Sequence, residues 1–201
     1  MRYPLKALVA AFSAFVLLTY SMPSTAQTTE APQVSERDAE NTLIIELKTG
    51  KVVIEMMPDV APKHVSQIKA LARAGQYDGV VFHRVIDGFM AQTGDVEFGD
   101  KTDGYNPRRA GTGGSDLPDL PAEFSNVPFD RGTVGMARSQ NPNSGNSQFF
   151  IMFADGHFLN GNYTVWGKVV DGMEFVDQIV RGEPPADPDE MISVKVAADV
   201  E

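Results

Sequence analysis

The segment VVFHRVIDGFMAQ, residues 80–92, sets one arginine among large apolar side chains. Val80 to Ile86 has the β-branched and aromatic make-up of a strand, and Asp87-Gly88 ends it in a turn. On a strand, Phe82, Arg84 and Ile86 share one face, with His83 and Val85 on the other. A guanidinium is not buried unpaired. Either a carboxylate neutralises Arg84, or it stands at the mouth of an apolar pocket and donates to a ligand.

Upstream, Leu43, Ile45 and Leu47 alternate with Ile44, Glu46 and Lys48. After Thr49-Gly50, residues Lys51 to Met57 are again β-branched and apolar, so the two runs form a hairpin. A helix follows: Pro62 suits its first turn, Val65, Ile68, Leu71 and Ala72 recur at helical spacing, and Gly75 supplies the stop. His64 on this helix reads as a solvated residue. Residues 27–40 (QTTEAPQVSERDAE) are polar and aperiodic, a flexible leader before structure begins at Asn41.

Downstream, Gly94 to Pro128 is rich in Gly, Pro, Asp and Asn and reads as loop, with one short strand near Leu120 to Phe124. Thr133 to Ala137, Ser147 to Phe153 and Tyr163 to Val170 are strand-like. Met173 to Arg181 is a second helix with Phe175, Val176 and Ile179 on one side, and Ile192, Val194 and Val196 alternate in a last strand. Many short strands and only two helices define an all-β barrel or sandwich. Barrel closure removes exposed edges, which suits a monomer.

Residues 1–26 have a basic start at Arg2 and Lys6, an apolar run from Ala7 to Tyr20, and Ser24-Thr25-Ala26 at their end. That layout is a cleavable secretory signal peptide with cleavage after Ala26, too short in its apolar part for a spanning anchor. The expected location is periplasmic or secreted, with no stable membrane insertion after cleavage. Its removal moves the net charge from −10 to −12. Such acidity argues against nucleic acid as a partner.

The chain has no cysteine, so disulfides, thiol nucleophiles and thiolate metal sites drop out. His64, His83 and His157 lie far apart with no metal-binding spacing. Ser144-Gly145-Asn146-Ser147 is not a nucleophile elbow, and Gly111-Thr112-Gly113-Gly114 lacks the lysine of a phosphate loop. That glycine run is either a turn with unusual backbone angles or a ligand contact.

Three ordered blocks carry a resemblance. They are Phe82-His83-Arg84-Val85-Ile86 with Phe89-Met90-x-Gln92-x-Gly94-Asp95; Met136-Ala137-Arg138 with Asn143-Ser144 and Ser147 to Ile151; and Phe158-Leu159-x-Gly161-x-Tyr163 running on to Val169. Together they resemble the cyclophilin family of peptidyl-prolyl cis–trans isomerases, over Asn41 to Val200. The resemblance implies a closed eight-stranded antiparallel barrel capped by two α-helices, with no cofactor and no metal. It implies Arg84 as the catalytic residue and Phe89, Met90, Gln92, Ala137, Phe150, Phe158, Leu159 and Tyr163 as the substrate pocket. The partners would be proline-containing polypeptides, such as unfolded exported clients. The competing reading is a non-catalytic proline-binding module or chaperone, which has no need of Arg84 and Gln92 together.

The chain departs from the family pattern in places. Phe158 stands where many eukaryotic members have Trp, which implies weaker cyclosporin binding, and Tyr163 takes a position often held by His. An extra residue within Met136 to Pro142 leaves open whether Arg138, Ser139 or Gln140 lines the groove. Val96 to Ala110 is longer than the family's loop, and its Arg108 and Arg109 suggest a border to the subsite before proline, favouring acidic partners. The alternative is a solvated surface insertion.

Overall fold

Alternation decides which way each strand faces. In the computed structural model, which describes Met1 and residues 38–200, β1 (Thr42–Leu47) and β2 (Gly50–Met56) form the expected hairpin. Leu43, Ile45 and Leu47 point inward with Val52, Ile54 and Met56, all buried. The proposed signal peptide and most of the leader lie outside the described residues. Order begins before Asn41: Ala39–Asn41 is a 3-10 turn capped by Asp38, and Glu40 pairs with Lys69 and Arg73.

The remaining strands are β3 (Arg84–Ile86), β4 (Met90–Thr93), β5 (Thr133–Met136), β6 (Phe149–Met152), β7 (Val165–Asp171) and β8 (Ser193–Val196). All eight join one antiparallel sheet in the order β3-β4-β6-β5-β7-β2-β1-β8. The segments leading into its two terminal strands meet where Val81, before β3, bridges Glu190, before β8, and Val85 of β3 bridges Gly182. This is the eight-stranded all-β architecture expected.

Helix α1 (Pro62–Arg73) buries Val65, Ile68, Leu71 and Ala72 against the core, as its spacing predicted. Its cap comes from far away in the chain. Ala61 has no capping side chain, and Glu123 accepts the backbone N–H groups of Lys63 and His64 instead. The same carboxylate lies 2.6 Å from His64 Nδ1. His64 is only 1% exposed, so the solvated reading is corrected. Burial pushes its imidazolium pKa down, with Glu123 opposing.

Three other expectations are revised. The strand expected over Val80 to Ile86 is regular only from Arg84, because Val80 and Val81 make single bridges to different partners. Near Leu120 there is one bridge, to Gly145, and no strand. Helix α2 spans only Met173–Val176, and beyond it turn-type bonds carry the chain to the buried Ile179.

Candidate functional site

The pocket lies on the outer face of the sheet, opposite the main core. Along β6, Phe149 and Ile151 enter that core, whereas Phe150 and Met152 form a second apolar cluster with Met90, Phe129, Leu159 and Val165. On β3 and β4 the same alternation sends Val85 and Ala91 inward and Arg84, Met90 and Gln92 outward. Register then aligns the site. Arg84 pairs with Gln92, Gln92 with Phe150, and Phe150 with Gly135, one rung across four strands.

Gly135 is what the rung requires at its end. A β-carbon there would stand 2.5 Å from Phe150 Cζ and 2.6 Å from Phe129 Cε1. Without it, the Phe129 and Phe150 rings stack at 5.7 Å, and Tyr163 meets Phe150 edge-on at 5.9 Å. The far wall comes from the 3-10 turn His157–Leu159, tied by the Gly156 N–H to Phe129 O at 2.7 Å. This turn presents buried Leu159 and Phe158, which is 71% exposed and packs on Phe89 at 5.5 Å.

These elements enclose a pocket of about 270 Å³ lined by Arg84, Phe89, Met90, Gln92, Ala137, Phe150, Phe158, Leu159, Tyr163 and Arg138. Every residue picked out by sequence is among them. Arg138 is the added one, and Ser139 lines a neighbouring pocket while Gln140 lines neither. That neighbour is polar, about 490 Å³, and walled by Gly111 to Ser115, Asn146 and Gln148; Gln92, Ala137 and Arg138 border both. The glycine run is therefore pocket wall.

Both readings of Arg84 hold at once. Its Nε donates to Glu183 Oε2 at 2.8 Å, while the half-buried guanidinium still lines the apolar pocket. Nη1 reaches Gln92 Oε1 in a long contact of 3.5 Å. Gln92 Nε2 donates to Gln148 Oε1 at 3.0 Å, and Gln148 Nε2 to Gly113 O at 2.8 Å. This chain of amides fixes the direction in which Gln92 faces the pocket. Behind it sits His83, 4% exposed, its ring nitrogens without hydrogen-bond partners among the described residues. Burial drives the His83 pKa down to about 4, with Asp95 opposing.

The insertion is held from below. Buried Asp95 accepts the N–H groups of Glu97, Phe98, Gly111 and Gly113, clasping both ends of Val96 to Ala110. Arg109 lies over the Phe98 ring at 3.5 Å, and neither Arg108 nor Arg109 lines either pocket. The suggested border to the subsite before proline is thus not made by these arginines. Asp130, Asp155 and His157 bring three potential metal-ligand atoms within 4.8 Å of one another, a grouping that long sequence separation concealed. They line neither pocket.

Known proteins are similar to this chain in sequence and in fold. Residues 42–197 match the family model described as cyclophilin type peptidyl-prolyl cis-trans isomerase/CLD. A probable peptidyl-prolyl cis-trans isomerase of Brucella suis is 58% identical over 194 residues, covering 94% of this chain and 95% of that one. A peptidyl-prolyl cis-trans isomerase of Acinetobacter baylyi is 34% identical, covering 81% and 89%. Among solved structures, a cyclophilin from Hirschia baltica superposes with a TM-score of 0.71 at 31% identity, covering 82% of this chain and 76% of that one. A Cryptosporidium parvum cyclophilin type isomerase, crystallised in the presence of the dipeptide Ala-Pro, gives 0.66 at 27%, covering 77% and 98%.

The barrel with an outward apolar pocket and an arginine at its rim is that of a prolyl-bond isomerase. The chain belongs to the cyclophilin-type peptidyl-prolyl cis–trans isomerase family, and its activity is rotation about Xaa–Pro bonds.

Proposed function

We propose that Arg84 catalyses this rotation on a proline ring seated against Phe89, Met90, Phe150 and Leu159. The observation that carries the assignment is the rung Arg84–Gln92–Phe150, which sets donor, amide and apolar floor side by side. The barrier of about 18–20 kcal/mol comes from amide resonance. Twisting the C–N bond breaks that resonance and leaves a lone pair on the prolyl nitrogen. A guanidinium N–H aimed at that nitrogen binds the twisted state more tightly than either planar state, and such differential binding is catalysis. Arginine is suited to this task because it stays protonated and offers a rigid fork of donors.

Glu183 occupies Nε, leaving the terminal nitrogens to face the pocket. Gln92 has one amide N–H committed to Gln148, so the other can receive the carbonyl oxygen of the residue preceding proline. No nucleophile or proton transfer enters this mechanism. The Ala-Pro dipeptide named with the Cryptosporidium relative is the smallest ligand of the class that this pocket fits. Exchange NMR on a proline tetrapeptide tests it. Arg84→Ala should slow cis–trans exchange by at least roughly 10²-fold while peptide binding falls little. Equal rates in the two proteins would reject the assignment.

We also infer that the enzyme acts on exported, incompletely folded chains. Support comes from the basic start, apolar run and small residues within positions 1–26. N-terminal sequencing of protein from the periplasmic fraction should begin at Gln27. An intact Met1 there, or no protein in either the periplasmic or the secreted fraction, would count against export.

A further inference from the structure

Arg138 stands on the ridge between the apolar and polar pockets and lines both. Its guanidinium lies over the Tyr163 ring, 4.3 Å from the centroid. Nη1 donates to Ser139 O and Nη2 to Asn162 O, each at 2.9 Å. Those carbonyls hold the group in place without neutralising it. Among the described residues Arg138 makes no ion pair, whereas Arg84, the other arginine of the groove, is matched by Glu183. Of the five N–H donors on a guanidinium, two go to the carbonyls and the Nε–H is buried without a partner among the described residues, which leaves two on the terminal nitrogens. A chain of net charge −10 thus keeps one uncompensated cation in its substrate groove.

We propose that Arg138 selects an acidic side chain within the two residues that precede proline. The inference rests on the proline ring occupying the apolar pocket. In that pose the carbonyl of the preceding residue meets Gln92, which borders both pockets, so the chain on the acyl side crosses Arg138 toward Gly111 to Ser115. A carboxylate arriving there meets a guanidinium already ordered by an aromatic face and two carbonyls. Little side-chain entropy remains to be lost, and the bond is charge-assisted. Asp119 lines only the polar pocket, accepts from Asn146 Nδ2 and makes no pair with Arg138. The acid preference is therefore confined to the positions nearest proline.

Exchange NMR on peptides carrying Glu or Gln, at each of the two positions before proline, tests the proposal on the full chain. At one of them kcat/KM for Glu should exceed that for Gln roughly three- to five-fold at low salt, the range of a partly exposed pair. High salt should shrink the ratio. Arg138→Gln should bring it to unity and Arg138→Lys should retain part of it. Equal turnover of Glu and Gln peptides at both positions, or a ratio that survives Arg138→Gln, overturns the proposal. Retained turnover in Arg84→Ala would fault only the catalytic assignment, since the Glu-to-Gln ratio reads Arg138 independently.

Discussion

Arg84 and Glu183 stand 99 positions apart in the chain, yet Arg84 Nε donates to Glu183 Oε2 at 2.8 Å on the rim of the apolar pocket. The ion pair does not remove Arg84 from the groove: the residue still lines the pocket, and its Nη1 reaches Gln92 Oε1 at 3.5 Å. With both side chains roughly half exposed, the pair itself adds little stability. Its effect is on orientation.

Replacing that carboxylate should consequently show in kcat rather than in folding. For Glu183→Gln we expect kcat/KM to fall about two- to five-fold, the scale of an exposed pair, with an unchanged urea midpoint. Line-shape analysis of a proline peptide, alongside denaturation, checks both halves. A shifted midpoint with unaltered turnover would make the pair structural.

Gly135 should tolerate no side chain. The Gly135→Ala β-carbon would meet two ring edges at about 2.5 Å, and overpacking of this kind costs about 1–3 kcal/mol. Because the displaced ring is Phe150, KM for proline peptides should rise as well. Urea unfolding and peptide titration report these effects separately.

Acid should weaken the fold through His83. Unfolded, its imidazole takes a proton near pH 6.5, while burial delays this in the fold to about 4. Between those values the unfolded chain binds more protons, so stability present above pH 6.5 is lost as pH falls toward 4. His64, also shifted down by burial, adds to the same trend. Unfolding free energy measured across this window should slope downward with acid, and His83→Gln should make the slope shallower. An identical slope in the variant would mean that other groups carry the effect.

Local pattern made much of this legible. The hairpin of β1 and β2 falls within a residue or so of its expected limits, because Leu43 to Leu47 and Val52 to Met56 keep a strict period of two. The same period separates Phe149 from Phe150 and so places the pocket floor. Arg84 stood out because a charge inside an apolar strand demands a partner. What sequence could not supply were partners distant in the chain. His64 looked solvated because its burial depends on Glu123, 59 positions away. Arg138 was one of three candidates because an extra residue between Met136 and Pro142 blurs the family's register there, and only the folded pocket separates it from Ser139 and Gln140. The helix expected to reach Arg181 stops at Val176, since apolar spacing persists through turns that lack helical bonds.

The site sits on the sheet's outer wall rather than in its interior, and this decides what can be acted on. With the proline ring seated as proposed, a substrate need not thread a free end through the molecule. A proline in mid-segment then lies across the surface and leaves again without disturbing the enzyme's own core.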